Sequence, residues 1–216
     1  MANDVFMNRS IETVSWQDYR ASSTGMVVFY ATDPVCELPI REVPEQYPSE
    51  ILPEPNYETE TFGFFGCART KIRSTFIKSK IRYLFFITKY AGTDADLKDE
   101  YLITGYYRVT KIADVKKQHI RYCSDYSCLD EKDCFALRAE ESRFVCAKDA
   151  FGVTPQLLKS WDFKGRVTRQ SRILLSEEQT AAIVEHLKSK PDIKEQYIEE
   201  TARLQPHDGS EEEETE

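Results

Sequence analysis

The sequence predicts an α+β fold, a β-rich barrel core followed by two C-terminal amphipathic helices. Three observations lead there. Thr61 to Cys67, Lys80 to Tyr90 and Tyr101 to Ile112 are aromatic and β-branched and read as strands. From Ser176 onward the pattern turns helical, with Ala181, Ile183, Val184 and Leu187 on one face. Strands and helices are grouped and do not alternate, so a parallel α/β sheet is not expected. The expected organisation is a core domain at 1–175, a helical appendage at 176–205 and a disordered acidic tail at 206–216.

Taken in order, Met26 to Tyr30 (MVVFY) is a short buried strand between Gly25 and Thr32-Asp33-Pro34. Residues 37–60 are acidic and contain Pro39, Pro44, Pro48, Pro53 and Pro55. Proline excludes a regular helix or a central strand, so this segment is expected to run extended over the surface. Lys80 to Tyr90 and Tyr101 to Ile112 flank the polar loop Ala91 to Glu100 and form an antiparallel hairpin. Gly105 falls in mid-strand and marks a bulge, a barrel corner or the close approach of a ligand. Residues 113–134 are polar and irregular. Phe135 to Ala147 reads as a strand pair, or as a short helix before a strand at Ser142 to Ala147.

Thr154 caps a helical turn that begins with Pro155. Ser176 and Gln179 are spaced as a capping box, and Pro191 ends the helix they open. Asp192 to Leu204 is a second amphipathic helix, with Ile193, Tyr197, Ile198 and Leu204 inward.

With 216 residues, 41% of them hydrophobic, the chain can bury one good core. No apolar run approaches the roughly 18 residues that a membrane span needs. The first residues lack a basic region followed by an apolar stretch, so the expectation is a soluble cytoplasmic protein without a disulfide framework. Cys36, Cys67 and Cys146 then read as free buried thiols.

Charge points toward a ligand. Gly66 to Lys89 holds Arg69, Lys71, Arg73, Lys78, Lys80, Arg82 and Lys89 and no acidic residue, in a chain of net charge −8. A local cationic field of this kind meets phosphate. On a strand, Arg69, Lys71 and Arg73 share one face, and Lys78, Lys80 and Arg82 form a second row. The alternatives are a solvated outer sheet face, with lysines blunting an edge, or pairing with the acidic segments. A second cationic stretch, Lys164 to Arg172, spaces Arg166, Arg169 and Arg172 three apart; it suits phosphate or packing against the acidic helices. Trp16, Tyr83, Tyr106 and Trp161 are the candidate stacking platform, each base being worth roughly 1–3 kcal/mol, although aromatic residues of a barrel are also its core.

His119, Cys123, Cys128 and Cys134 offer four ligands for a structural zinc in one irregular segment. Free thiols are the alternative, because the spacing lacks close Cys-x2-Cys pairs. No other cofactor is expected.

The basic stretch Arg69 to Arg82, the aromatic strand Tyr83 to Ile87, the strand Ile103 to Val109 around Gly105, and Arg143-Phe144-Val145 follow one another in an order that resembles PUA-like barrel domains of the EVE, ASCH and YTH types. The resemblance covers about residues 61–150. It implies a small β-barrel whose aromatic-lined pocket holds a modified or flipped-out base, with Arg108 or Arg143 near that pocket. It implies neither the proline-rich segment nor the two terminal helices.

No Gly-x-Ser-x-Gly, phosphate loop, Gly-x-Gly-x-x-Gly or His-Glu-x-x-His motif is present. The expectation is therefore a non-enzymatic module that binds DNA, RNA or a nucleotide. A protein-interaction module, meeting a partner protein through the proline-rich segment and the terminal helices, is the alternative. A metal-dependent nuclease is a more remote one. Its carboxylate pairs would be Asp99-Glu100 or Glu140-Glu141, neither followed by x-Lys on an obvious strand.

Overall fold

The computed structural model describes residues 7–8, 15–30, 51–52, 55–64, 69–97, 100–114, 135–168 and 171–203. Its strands are β1 (Met7–Asn8), β2 (Gln17–Asp18), β3 (Thr24–Phe29), β4 (Ile51–Leu52), β5 (Thr61–Phe64), β6 (Ile81–Lys89), β7 (Tyr101–Asp114), β8 (Phe135–Phe144), β9 (Phe151–Val153) and β10 (Arg172–Leu175). Its helices are α1 (Arg69–Lys78), α2 (Pro155–Ser160), α3 (Glu177–Lys188) and α4 (Lys194–Arg203). Among the described residues no helix is long and apolar enough to cross a membrane.

Eight strands form one mixed sheet curled into a half-barrel, with the path β10-β3-β6-β7-β8-β5. β3 and β6 run parallel, and every other pair in the sheet is antiparallel. The parallel pair departs from the sequence expectation. The chain leaves β3, adds β5 at the far edge, and returns through α1 to lay β6 beside β3. Strand periodicity carries no information about such a long crossover.

β7 is the spine. Its first part pairs with β6 and β9, and its last part with β8 and β2. The expected hairpin is β6–β7. Its register shifts where Phe86 faces Gly105 and Ile87 faces Ile103, so Thr104 is the extra residue of a bulge. Thr104 remains satisfied: its carbonyl accepts from the Val145 N–H at 2.8 Å, and its hydroxyl lies 2.7 Å from that of Tyr30. Further shifts beside Val109 bend the sheet against β8.

Both sheet faces are buried. One cluster contains Met26, Val28, Leu84, Phe86, Tyr107 and Phe144 and is covered by Tyr57, by Phe76 of α1 and by Tyr197 of α4. The other contains Val27, Phe85, Ile87 and Tyr106 and is covered by Leu158, Trp161, Ile183 and Leu187. Ile183 and Leu187 of α3 and Tyr197 of α4 thus pack onto the two sheet faces. The capping box of α3 forms as read: the Ser176 hydroxyl accepts from the Gln179 N–H, and the Gln179 side chain accepts from the Ser176 N–H. Thr154 likewise caps α2, with Pro155 in its first turn.

The end of the proline-rich segment also differs from its surface assignment. Tyr57 is 2% exposed and meets Phe86, Tyr107, Phe144 and Tyr197 at ring-centroid distances of 4.9–6.0 Å. The Asn56 carboxamide accepts from the N–H groups of Glu58 and Thr59 and builds the turn that presents Tyr57. Residues 31–50 and the tail at 206–216 lie outside the described residues.

Candidate nucleic-acid interface

The basic segment forms a helix, not the strand on which the two cationic rows depend. In α1, positions two apart no longer share a face, because helical neighbours are three and four apart. The row of Arg69, Lys71 and Arg73 therefore does not form. Nor does the row of Lys78, Lys80 and Arg82, since Lys78 ends the helix, Lys80 occupies a turn at φ 49° and Arg82 belongs to β6. The overlooked signal is the four-residue spacing of Ile72 and Phe76. Phe76 is fully buried, its ring 5.5 Å from that of Tyr19, and its carbonyl accepts from the Tyr19 hydroxyl at 3.1 Å. That contact seats α1 against the sheet.

The helix nevertheless gathers cations at one end of the sheet. Lys78 and Lys80 are exposed and make no ion pair among the described residues. The Lys80 carbonyl accepts from the N–H and hydroxyl of Ser22, which pins the turn. Arg20 and Lys111 are exposed nearby in the chain path. Arg73 is held by Asp114, 2.9 Å away at the end of β7.

Other expected contacts are engaged within the fold. Arg82 and Arg108 converge on Glu140, and Arg82 also donates to the Val109 carbonyl. Arg143 donates to the carbonyls of Leu187, at 2.8 Å, and Lys190, and faces Asp192 at 4.0 Å. It thus caps the C-terminus of α3 with a positive charge where the helix dipole is negative. Arg166 is exposed in the loop after Gly165, and Arg172 lies on β10 rather than one helical turn away; Arg169 lies outside the described residues.

The expected stacking platform does not assemble as an open pocket. Tyr83 and Tyr106 do meet, edge to face at 5.7 Å. Tyr106, however, is 1% exposed and donates from its hydroxyl to Glu141 at 2.6 Å, while Lys188 holds the same carboxylate oxygen at 2.7 Å. Burial pushes the Tyr106 phenol far up, and the bond to Glu141 adds to the rise. Trp161 is 7% exposed and fills the second core cluster. A ring that roofs a sheet face in this way cannot also stack a base.

Trp16 is placed otherwise. It lies half-buried at the wall of a groove of about 570 Å³, with the Arg138 guanidinium 5.9 Å from its ring centroid. Sequence reading passed over Arg138. The available signal was a single cation between Leu137 and Ala139, two buried positions of an alternating strand.

His119, Cys123, Cys128 and Cys134 all lie outside the described residues, and within the described residues no group of three or more His, Cys, Asp or Glu is placed to hold a metal. Cys146 is half-buried and donates to Asp149 at 2.9 Å; burial and that bond push its thiol up, away from the nucleophilic thiolate. The carboxylates Glu140 and Glu141 are both committed to cations.

No family model, curated protein or solved structure matches this chain.

Proposed function

We propose that this chain is a nucleic-acid-binding module that grips the phosphate backbone with α1 and the adjoining end of the sheet. The observation that carries the reading is the composition and placement of that end. α1 holds Arg69, Lys71, Arg73 and Lys78 with no acidic residue, and the exposed Lys80 follows it at once. In a chain of net charge −8, such an island focuses a positive field suited to phosphates. The likeness to PUA-like barrels belongs to the same proposal. The curled sheet with a basic segment before β6 supports it, whereas the filled pocket around Tyr106 and Trp161 speaks against a base held there.

The adaptor reading has less behind it. Its terminal helices turn their apolar stripes into the core, and Leu174 is the one exposed large hydrophobic side chain among the described residues. Large exposed apolar patches mark interaction sites, and a single leucine does not make one among the described residues.

The test is a salt titration of binding to labelled single- and double-stranded DNA and RNA. Lys78→Ala with Lys80→Ala should weaken binding for all sequences and lower the salt slope on duplex by about 2, since each lysine neutralises one phosphate. Absence of binding at low salt would remove the proposal.

A further inference from the structure

The groove beside Trp16 holds hydrogen-bond donors that the protein itself does not use. Lys194 is engaged there, its ammonium 3.2 Å from Glu60, which also accepts from the Ser142 hydroxyl at 2.7 Å. Arg138 is not engaged: among the described residues its guanidinium makes no ion pair and only faces the indole. The Trp16 Nε1 is buried and has no hydrogen-bond partner among the described residues. Leaving a buried donor unpaired is destabilising. A guanidinium without an ion pair among the described residues, beside one aromatic ring, matches a planar anion.

The location is informative too. Arg138 faces Lys111 across the β7–β8 ladder. Three residues further along β7 is Asp114, which holds Arg73 of α1.

We propose that the Trp16–Arg138 groove is a nucleotide subsite, in which Arg138 binds the phosphate and the indole stacks the base. The ligand chemistry is that of a nucleoside monophosphate, free or as one unit of a strand. This inference rests on the nucleic-acid reading for its biological sense but is measured apart from it.

The chain has two tryptophans, so Trp161→Phe leaves Trp16 as the only indole emitter. That variant is titrated with each ribonucleoside 5′-monophosphate, with inorganic phosphate and with a short single-stranded oligonucleotide. Trp16→Phe in the otherwise native protein gives the same answer by difference should Trp161→Phe fail to fold. Saturable quenching by the monophosphates, weakened at least about tenfold by Arg138→Gln, is the expected result. Quenching that is absent, or indifferent to Arg138→Gln, overturns the subsite. If the oligonucleotide still binds through Lys78 and Lys80 while monophosphates leave Trp16 unchanged, the subsite falls and the backbone-binding reading stands. If monophosphates bind and oligonucleotides do not, the subsite stands as a free-nucleotide site and the backbone reading falls.

Discussion

Tyr57 seats its hydroxyl against the backbone of Gly105 at the bulge of β7. A Cβ at position 105 would overlap both that hydroxyl and the Arg143 carbonyl. The mid-strand glycine is thus a close approach, made by the protein's own tyrosine and not by a ligand. Through it the end of the proline-rich segment is keyed into the core.

Gly105→Ala is therefore expected to cost roughly 1–3 kcal/mol, the range for forcing a methyl into a packed interior. The Tyr57 hydroxyl is buried without a hydrogen-bond partner among the described residues. Tyr57→Phe should consequently be neutral or stabilising by up to about 1 kcal/mol, since it removes an unpaired polar group. It should also return part of the Gly105→Ala loss, because one of the two overlaps disappears. Denaturant unfolding of the four proteins gives the coupling directly, and strict additivity would show that the two residues do not meet.

Arg143 is expected to matter for stability and not for binding. Arg143→Met keeps the aliphatic stem and removes the donors to the Leu187 and Lys190 carbonyls. A loss of about 2 kcal/mol is anticipated from charge-assisted hydrogen bonds of this kind. The salt slope of nucleic-acid binding should not change; a drop of one unit would place Arg143 on a phosphate instead.

Acid stability should report on Glu141. Burial raises its carboxyl, but the hydrogen bonds from Lys188 and Tyr106 overcome that and hold the group below its ordinary 4.5. A depressed carboxylate contributes stability above its unfolded pKa, and that contribution is lost as pH falls through the folded value. Glu141→Gln should flatten the part of the acid unfolding curve that lies below 4.5. A variant curve parallel to the native one would show that the Lys188–Glu141–Tyr106 contacts do not form in solution.

The alkaline limb has the opposite sign. Burial raises Tyr19 to about 12 and pushes Tyr30, Tyr57 and Tyr106 further up from 10.0. Groups raised in the folded state contribute stability below the unfolded value, and it is lost as pH climbs above 10.0. Phenolate absorbance of the buried tyrosines should therefore rise together with the loss of circular dichroism. Ionisation of all tyrosines near 10.0, with the fold intact, would contradict this packing.

Truncation before Ser176 should leave an unfolded or molten chain, because Ile183 and Leu187 cover one sheet face and Tyr197 the other. Near-ultraviolet circular dichroism of residues 1–175 checks this. A native-like spectrum would restore the helices to the status of an appendage.

What could be read in the chain was local. Thr154 and Ser176 announced their caps because a cap is made within three residues. The β6–β7 hairpin followed from two alternating runs around a polar loop. α1 is hard to read in the chain because its apolar signal is the single four-residue step from Ile72 to Phe76, set among cations at even spacing. The burial of Tyr57 is not legible there, because a proline-rich, acidic neighbourhood does not reveal that one ring within it turns inward.

By itself, then, the sequence determined the β-rich body, the helical C-terminal part, the two helix caps and the cationic island. Each of these depends on composition or on contacts a few residues apart. Tertiary structure alone decided which rings and cations remain available. Arg143 is committed to carbonyls 44 and 47 residues away, Arg82 and Arg108 to one shared glutamate, and Trp161 to the lid of a sheet face. Whether a charge is paired or a ring covered depends on partners brought close only when the sheet curls, and no periodicity in the chain encodes those meetings.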